Sequence, residues 1–311
     1  MRGLTVKRSW MTGLVVALLV LGGSPAVASP PGGPPRPGHP VHLVIGDSVP
    51  AGQQSVPPAV DFPTTATLWK ASGFVAQFHE VLRDELVCAP GRPHHHPPGR
   101  SCRALELVNL SRTGIPGVAA GVTTATVLQP GDQLDQAVAL IEERNDNRSP
   151  RDDVVVITVS VGGNDLYGPA VQACVPPTGS CVAALQATFA GFEVRYDEIL
   201  ATLRKSAGPD TAILAMTYYN PLPYCDRGGA NPAAARVLGD FILEGGDIGL
   251  GAMPLGFNDR LRQVADRYDA IVVDTFGTLG AGDFVGGSDC VHPDGDGHRA
   301  LADVFATTYP G

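Results

Sequence analysis

Nowhere in this 311-residue chain do lysine and arginine gather into the patch or stripe needed to track a phosphate backbone, so nucleic acid is not an expected partner. No CxxC pair is present, which leaves little to suggest a zinc site. Internal repeats are absent, and after the first 40 residues no second linker interrupts the chain. The GxSxG turn that exposes a nucleophilic serine in many α/β enzymes is also missing. The only long apolar run, "GLVVALLVLGG", is too short to span a bilayer comfortably and lies at the amino end.

That run has a basic start in Arg2, Lys7 and Arg8, and it ends in the small-residue pattern Ala26 to Ala28. Residues 1–28 therefore read as a secretory signal, and no stable membrane span is expected after its removal. Residues 29–40, "SPPGGPPRPGHP", form a Pro/Gly-rich disordered leader with almost nothing to bury. Residues 41–311 suffice for one large α/β domain. Cleavage removes three of the 22 basic residues and none of the 31 acidic ones, taking the net charge from −9 to about −12. The expected location is extracellular and the expected state monomeric. Six cysteines, an even set in an exported chain, predict disulfides. Fifteen connectivities are possible, of which pairing of neighbours is favoured: Cys88 with Cys102, Cys174 with Cys181, and Cys225 with Cys290.

Short β-branched runs at 42–46, 105–110, 153–161, 211–219 and 270–276 alternate with helical periodicities at 72–86, 132–145, 181–206, 255–268 and 297–308. The alternation predicts a five-stranded parallel sheet inside a three-layer α/β/α sandwich. Residues 49–67, 88–102, 162–180 and 220–254 read as long Gly/Pro-rich loops, three of them following strand ends. The apolar, glycine-rich stretch 240–256 suits a mobile wall of an acyl pocket, or equally a short helix followed by a packed loop.

Ser48, in "VIGDSVPAG", ends the first strand, where open α/β folds place their ligands. A serine hydroxyl needs an adjacent base and an orienting acid to act as a nucleophile. Of eight histidines, only His292 in "SDCVHPDGDGH" falls in a loop after the last strand with a carboxylate three residues before it, Asp289. His298 reads as helix surface. Two glycines followed by Asn164 close the third strand, and Gly114 follows the second, so both strand ends offer donors for an oxyanion.

"GDSVPAG", "NLSRTGIPG", "GGND" and "DCVHPDGDGH", in this order, resemble the SGNH hydrolases, also called GDSL esterases and lipases. The resemblance implies a flavodoxin-like topology, a serine esterase or lipase acting on small-molecule or lipid esters, and no metal or organic cofactor. It implies Ser48 as nucleophile, His292 as base and Asp289 as orienting acid. The oxyanion hole would comprise the Ser48 and Gly114 N–H groups and the Asn164 amide. Asp47 and Asp165 read as loop-bracing carboxylates. The family's usual leucine after the serine is Val49 here, followed by Pro50, which bears on the entrance to the site. The alternatives are a carbohydrate acetylesterase of the same family, a non-catalytic secreted binding protein on this fold, and a metal site at His94 to His96, which reads better as a solvated loop.

Overall fold

The computed structural model describes residues 38–59, 61–88, 104–113, 121–146, 151–175, 179–286 and 289–309. Five strands form one parallel sheet: β1 (Val41–Gly46), β2 (Glu106–Asn109), β3 (Val154–Ser160), β4 (Ala212–Met216) and β5 (Ile271–Val273). Their order is β2-β1-β3-β4-β5. The chain reverses its direction of travel across the sheet between β1 and β3, whose carboxyl ends Gly46 and Ser160 lie side by side. A crevice opens at such a point, and ligands bind there.

Side chains alternate across each strand, so β1 serves two cores. Leu43 and Ile45 pack in one layer with Ile141, Phe189, Phe192 and Phe257, carried by α4 (Gln133–Asn145), α6 (Cys181–Ala207) and α8 (Phe257–Arg267). Val44 packs in the other with Phe74, Phe78, Leu301 and Phe305, from α2 (Phe74–Cys88) and α9 (Gly295–Thr308). Burial on both faces explains why the strands are apolar runs rather than polar alternations.

Three further helices, together with the four-residue α3 (Thr124–Val127), occupy segments expected to be loops or left without an element: α1 (Phe62–Ser72), α5 (Gly163–Cys174) and α7 (Pro232–Glu244). The reasons differ. α5 starts on a glycine and carries Pro169 inside it, a composition that argues locally against a helix. α7 does have a start signal, since Asn231 accepts hydrogen bonds from the Ala233 and Ala234 amides and Pro232 stands in the first turn. Within 240–256, the end of α7, whose Ile242 and Leu243 are buried, is followed by a largely exposed loop that carries the Gly246–Met253 bridge.

Candidate active site

β1 stops where its backbone is captured. The Gly46 N–H donates to Gln133 Oε1 at 2.7 Å, and Gln133 Nε2 returns a bond to the Gly46 carbonyl at 2.9 Å. A Cβ at Gly46 would lie 2.2 Å from the Ser160 carbonyl oxygen, so the close approach of β1 to β3 requires glycine. The chain then turns tightly, with Gly52 N–H bonded to Val49 O and Gln53 N–H to Ser48 O. Ser48 stands at the head of this turn.

The loop after β5 brings His292. Ser48 Oγ lies 2.8 Å from His292 Nε2, and His292 Nδ1 bonds Asp289 Oδ1. Asp294 is engaged elsewhere, capping α9 by accepting from the Asp296 and Gly297 amides. The loop is anchored to the segment after β4 by the Cys225–Cys290 disulfide, by Tyr219 Oη donating to Val291 O at 3.1 Å, and by Phe284 packed on the Tyr219 and Tyr224 rings. The second disulfide present, Cys174–Cys181, joins the end of α5 to the start of α6. Cys102, and with it the expected bridge to Cys88, lies outside the described residues, as does the His94 to His96 loop.

Across the crevice, Asn164 in the first turn of α5 donates from Nδ2 to the Val122 carbonyl at 2.9 Å, which fixes its amide. Gly121 lies against that amide. A Cβ there would come within 2.5 Å of Asn164 Oδ1. Gly114 lies outside the described residues. Asp165 accepts from Thr124 N, Thr124 Oγ1 and Arg195, tying α3 and α6 to the turn that carries Asn164. Asp47 accepts from Val49 N and from Tyr218 Oη. Ser48, His292 and Asn164 border one pocket of about 270 Å³, and Gly121 lines it too. Much of its lining is apolar, including Leu166 and Ala170 of α5, Leu222, and Ile242 and Leu243 of α7.

The family model of the GDSL-like lipase/acylhydrolase family matches residues 44–300, from β1 into α9. The chain belongs to that family. It is thus a carboxylic ester hydrolase. Among solved structures it is similar to the lipase Lip_vut3 from a goat rumen metagenome, at 16% identity and TM-score 0.54, over 88% of this chain and 98% of that one. It is also similar to Axe2, an acetylxylan esterase from Geobacillus stearothermophilus, at 16% identity and TM-score 0.48, over 88% and 95% of the two chains. At 16% identity the likeness to Lip_vut3 shows the fold alone. A comparison with curated proteins finds no match.

In this GDSL-type hydrolase, His298 is not on the helix surface. It is fully buried: Nδ1 accepts from the Phe74 N–H at 3.2 Å and Nε2 donates to the Gln53 carbonyl at 3.0 Å. One ring nitrogen accepts and the other donates, so the imidazole is neutral. The sequence places His298 one turn into α9, four residues after the Asp294 cap, but does not reveal its burial. Gln133, Gln53 and Gln54, which brace the site from outside any recognised motif, carried no sign of their roles.

Among the described residues no helix is long and apolar enough to cross a membrane, and no group of three or more His, Cys, Asp or Glu is placed to hold a metal ion.

Burial sets the electrostatics. The Asp289 carboxyl is raised by desolvation, but the hydrogen bond and charge of His292, with the Gln54 and Gln53 amides, outweigh this and hold it below the ordinary carboxylate value. Burial pushes Asp47 up to about 7, His298 down to about 4 and His42 down to about 3, the last with help from the stacked His79.

These shifts make the fold acid-labile. An unfolded histidine takes up its proton near pH 6.5, whereas buried His42 and His298 refuse it until about 3 and 4. Their contribution is complete above pH 6.5 and is lost as the pH falls toward 4. Asp47 acts in the opposite sense, because its folded form binds a proton from about pH 7 downward and its unfolded form only near 3.8. Two histidines against one carboxyl leave a net loss on the order of 3 kcal/mol by pH 4. Urea midpoints at pH 7.5 and 4.5 measure it, and His42→Gln should flatten the difference. Equal midpoints in the native chain would contradict this account.

Proposed function

We propose that this protein is a secreted serine esterase that works through an acyl-enzyme on Ser48, with a preference for short to medium acyl chains. The observation that carries the reading is the hydrogen-bonded series Ser48–His292–Asp289, with Ser48 and His292 lining a pocket that is otherwise largely apolar. His292 Nε2 takes the Ser48 proton as Oγ attacks the ester carbonyl. The negative oxygen so formed is held by the Ser48 N–H, the Asn164 amide and a glycine N–H. Gly121 is a candidate for that glycine beside Gly114, because it lines the pocket next to Asn164. As the tetrahedral species collapses, His292 returns the proton to the departing alcohol. Water, deprotonated by the same imidazole, then releases the acid. His292 generates the nucleophile and N–H groups polarise the carbonyl, so each step is complete without a metal. Export is supported by the signal-like residues 1–28 and by two disulfides.

The test is kcat/KM for p-nitrophenyl esters from acetate to decanoate, set against acetylated xylan. Each methylene that packs on the apolar lining is worth up to about 0.8 kcal/mol, roughly fourfold. Specificity should therefore rise from acetate to a maximum at intermediate length and then fall once the pocket is full. Activity confined to acetylated glycan would overturn the chain preference, and no hydrolysis of any ester would overturn the enzyme reading.

A further inference from the structure

The turn after the nucleophile carries a contact that the reaction steps above do not use. Gln54 has φ +70°, in the left-handed region, and among the described residues only one other non-glycine, Asp269, has positive φ. Short Asn and Asp side chains are tolerated there, while a glutamine is strained. The side chain so aimed crosses to the histidine loop, where Gln54 Nε2 donates to Asp289 Oδ2 at 2.7 Å. The other oxygen, Oδ1, bonds His292 Nδ1.

Strain of this kind persists only where the surroundings over-determine the backbone, and here they do. Ser55 N–H bonds Gly52 O, the Gln53 carbonyl is held by buried His298, Ser55 Oγ meets Ser72 Oγ at 2.9 Å, and Trp69 Nε1 donates to Val56 O. Both amides of this turn face the Asp289–His292 pair: Gln54 Nε2 bonds Asp289, Gln53 Nε2 lies 3.5 Å from His292 Nδ1, and the Asp289 side chain is 29% exposed.

We propose that Gln54 is a positioning residue. Its amide clamps the outer oxygen of Asp289 and so keeps the inner oxygen on His292, and the left-handed backbone is what directs it there. The proposal rests on the Ser48–His292–Asp289 reading. It links nucleophile and acid directly, so the turn that presents Ser48 also sets the geometry of the residue that orients its base.

Gln54→Gly, Gln54→Glu and Asp289→Asn, each in the full chain, test this by melting temperature and by kcat, KM and pH profile on p-nitrophenyl butyrate. Glycine relieves the backbone and removes the amide. The Gln54→Gly variant should melt no lower than wild type, yet lose about 10- to 100-fold in kcat with KM within about twofold. In Gln54→Glu, an added carboxylate beside the pair favours the imidazolium, moving the acid side of the kcat/KM profile to higher pH. The charged or titratable groups facing the pair, Asp47 and His298 near His292 and Tyr219 near Asp289, are the same in every variant. Wild-type kcat in Gln54→Gly, a kcat loss that tracks a lowered melting temperature, or an unmoved profile in Gln54→Glu overturns the proposal. An Asp289→Asn enzyme as fast as wild type would instead bring down the triad reading, and the proposal with it.

Discussion

Ser48→Ala is expected to reduce ester hydrolysis by about 10⁴- to 10⁶-fold while leaving the fold intact. Removing one member of a nucleophile–base–acid unit disables the whole unit, and what remains is the modest rate that binding and oxyanion donors supply by themselves. The loss should fall on kcat, because the apolar pocket lining from α5 and α7 is untouched by the change. Stability should hardly move, since the substitution deletes one hydroxyl whose partner, His292, keeps its bond to Asp289. A fluorophosphonate probe should label the native enzyme at Ser48 and leave Ser48→Ala unlabelled. Labelling that survives the substitution would sink the assignment. Asn164→Ala provides the contrast: loss of one oxyanion donor should cost about 10²- to 10³-fold in kcat and spare the labelling site.

Removing the Cys225–Cys290 bridge, by the double substitution Cys225→Ala with Cys290→Ala, is expected to cost about 4 kcal/mol of stability and most of the activity. The bridge spans 65 residues, and closing a loop of that length in the unfolded chain accounts for about that amount in the chain-entropy picture. Its effect on catalysis follows from position. Cys290 sits between Asp289 and Val291 in the loop that carries His292, and Cys225 belongs to the segment after β4. Without the bridge, the loop keeps the Tyr219–Val291 hydrogen bond and the packing of Phe284 on Tyr219 and Tyr224, neither of which fixes Cys290 itself. Urea unfolding and kcat, measured on the double variant at a concentration of urea well below its midpoint, separate the two effects. A variant destabilised as expected but fully active would show that the bridge serves the fold alone. A comparable change at Cys174 and Cys181 should be milder, because only 7 residues separate them.

Much of this architecture is legible in the residues themselves. The five strands stand out because a parallel sheet covered on both faces demands near-continuous apolar runs, and the helices α2, α4, α6, α8 and α9 because each must bury one stripe. Ser48, Asn164, Asp289 and His292 are visible because they stand at strand ends in motifs with local turn chemistry. Their meeting is another matter. Ser48 and His292 are 244 positions apart, and the 2.8 Å between them depends on the order in which the strands are laid down. Of the two helices that line the pocket, α5 was the less legible: it begins with glycine and contains proline, and its helix survives because packing on α6 and the bridge to Cys181 outweigh local propensity. His298 illustrates the same division at one side chain, since its place one turn into α9 is written in the sequence while its burial against Phe74 and the Gln53 carbonyl is not. The sequence by itself thus determined the elements, their alternation and the chemical groups, because these follow from periodicity and local hydrogen bonding. Only the tertiary structure decided which groups touch, what shape the pocket takes and that Gln54, at positive φ, bonds Asp289, because those contacts join segments from distant parts of the chain whose geometry no local interaction specifies.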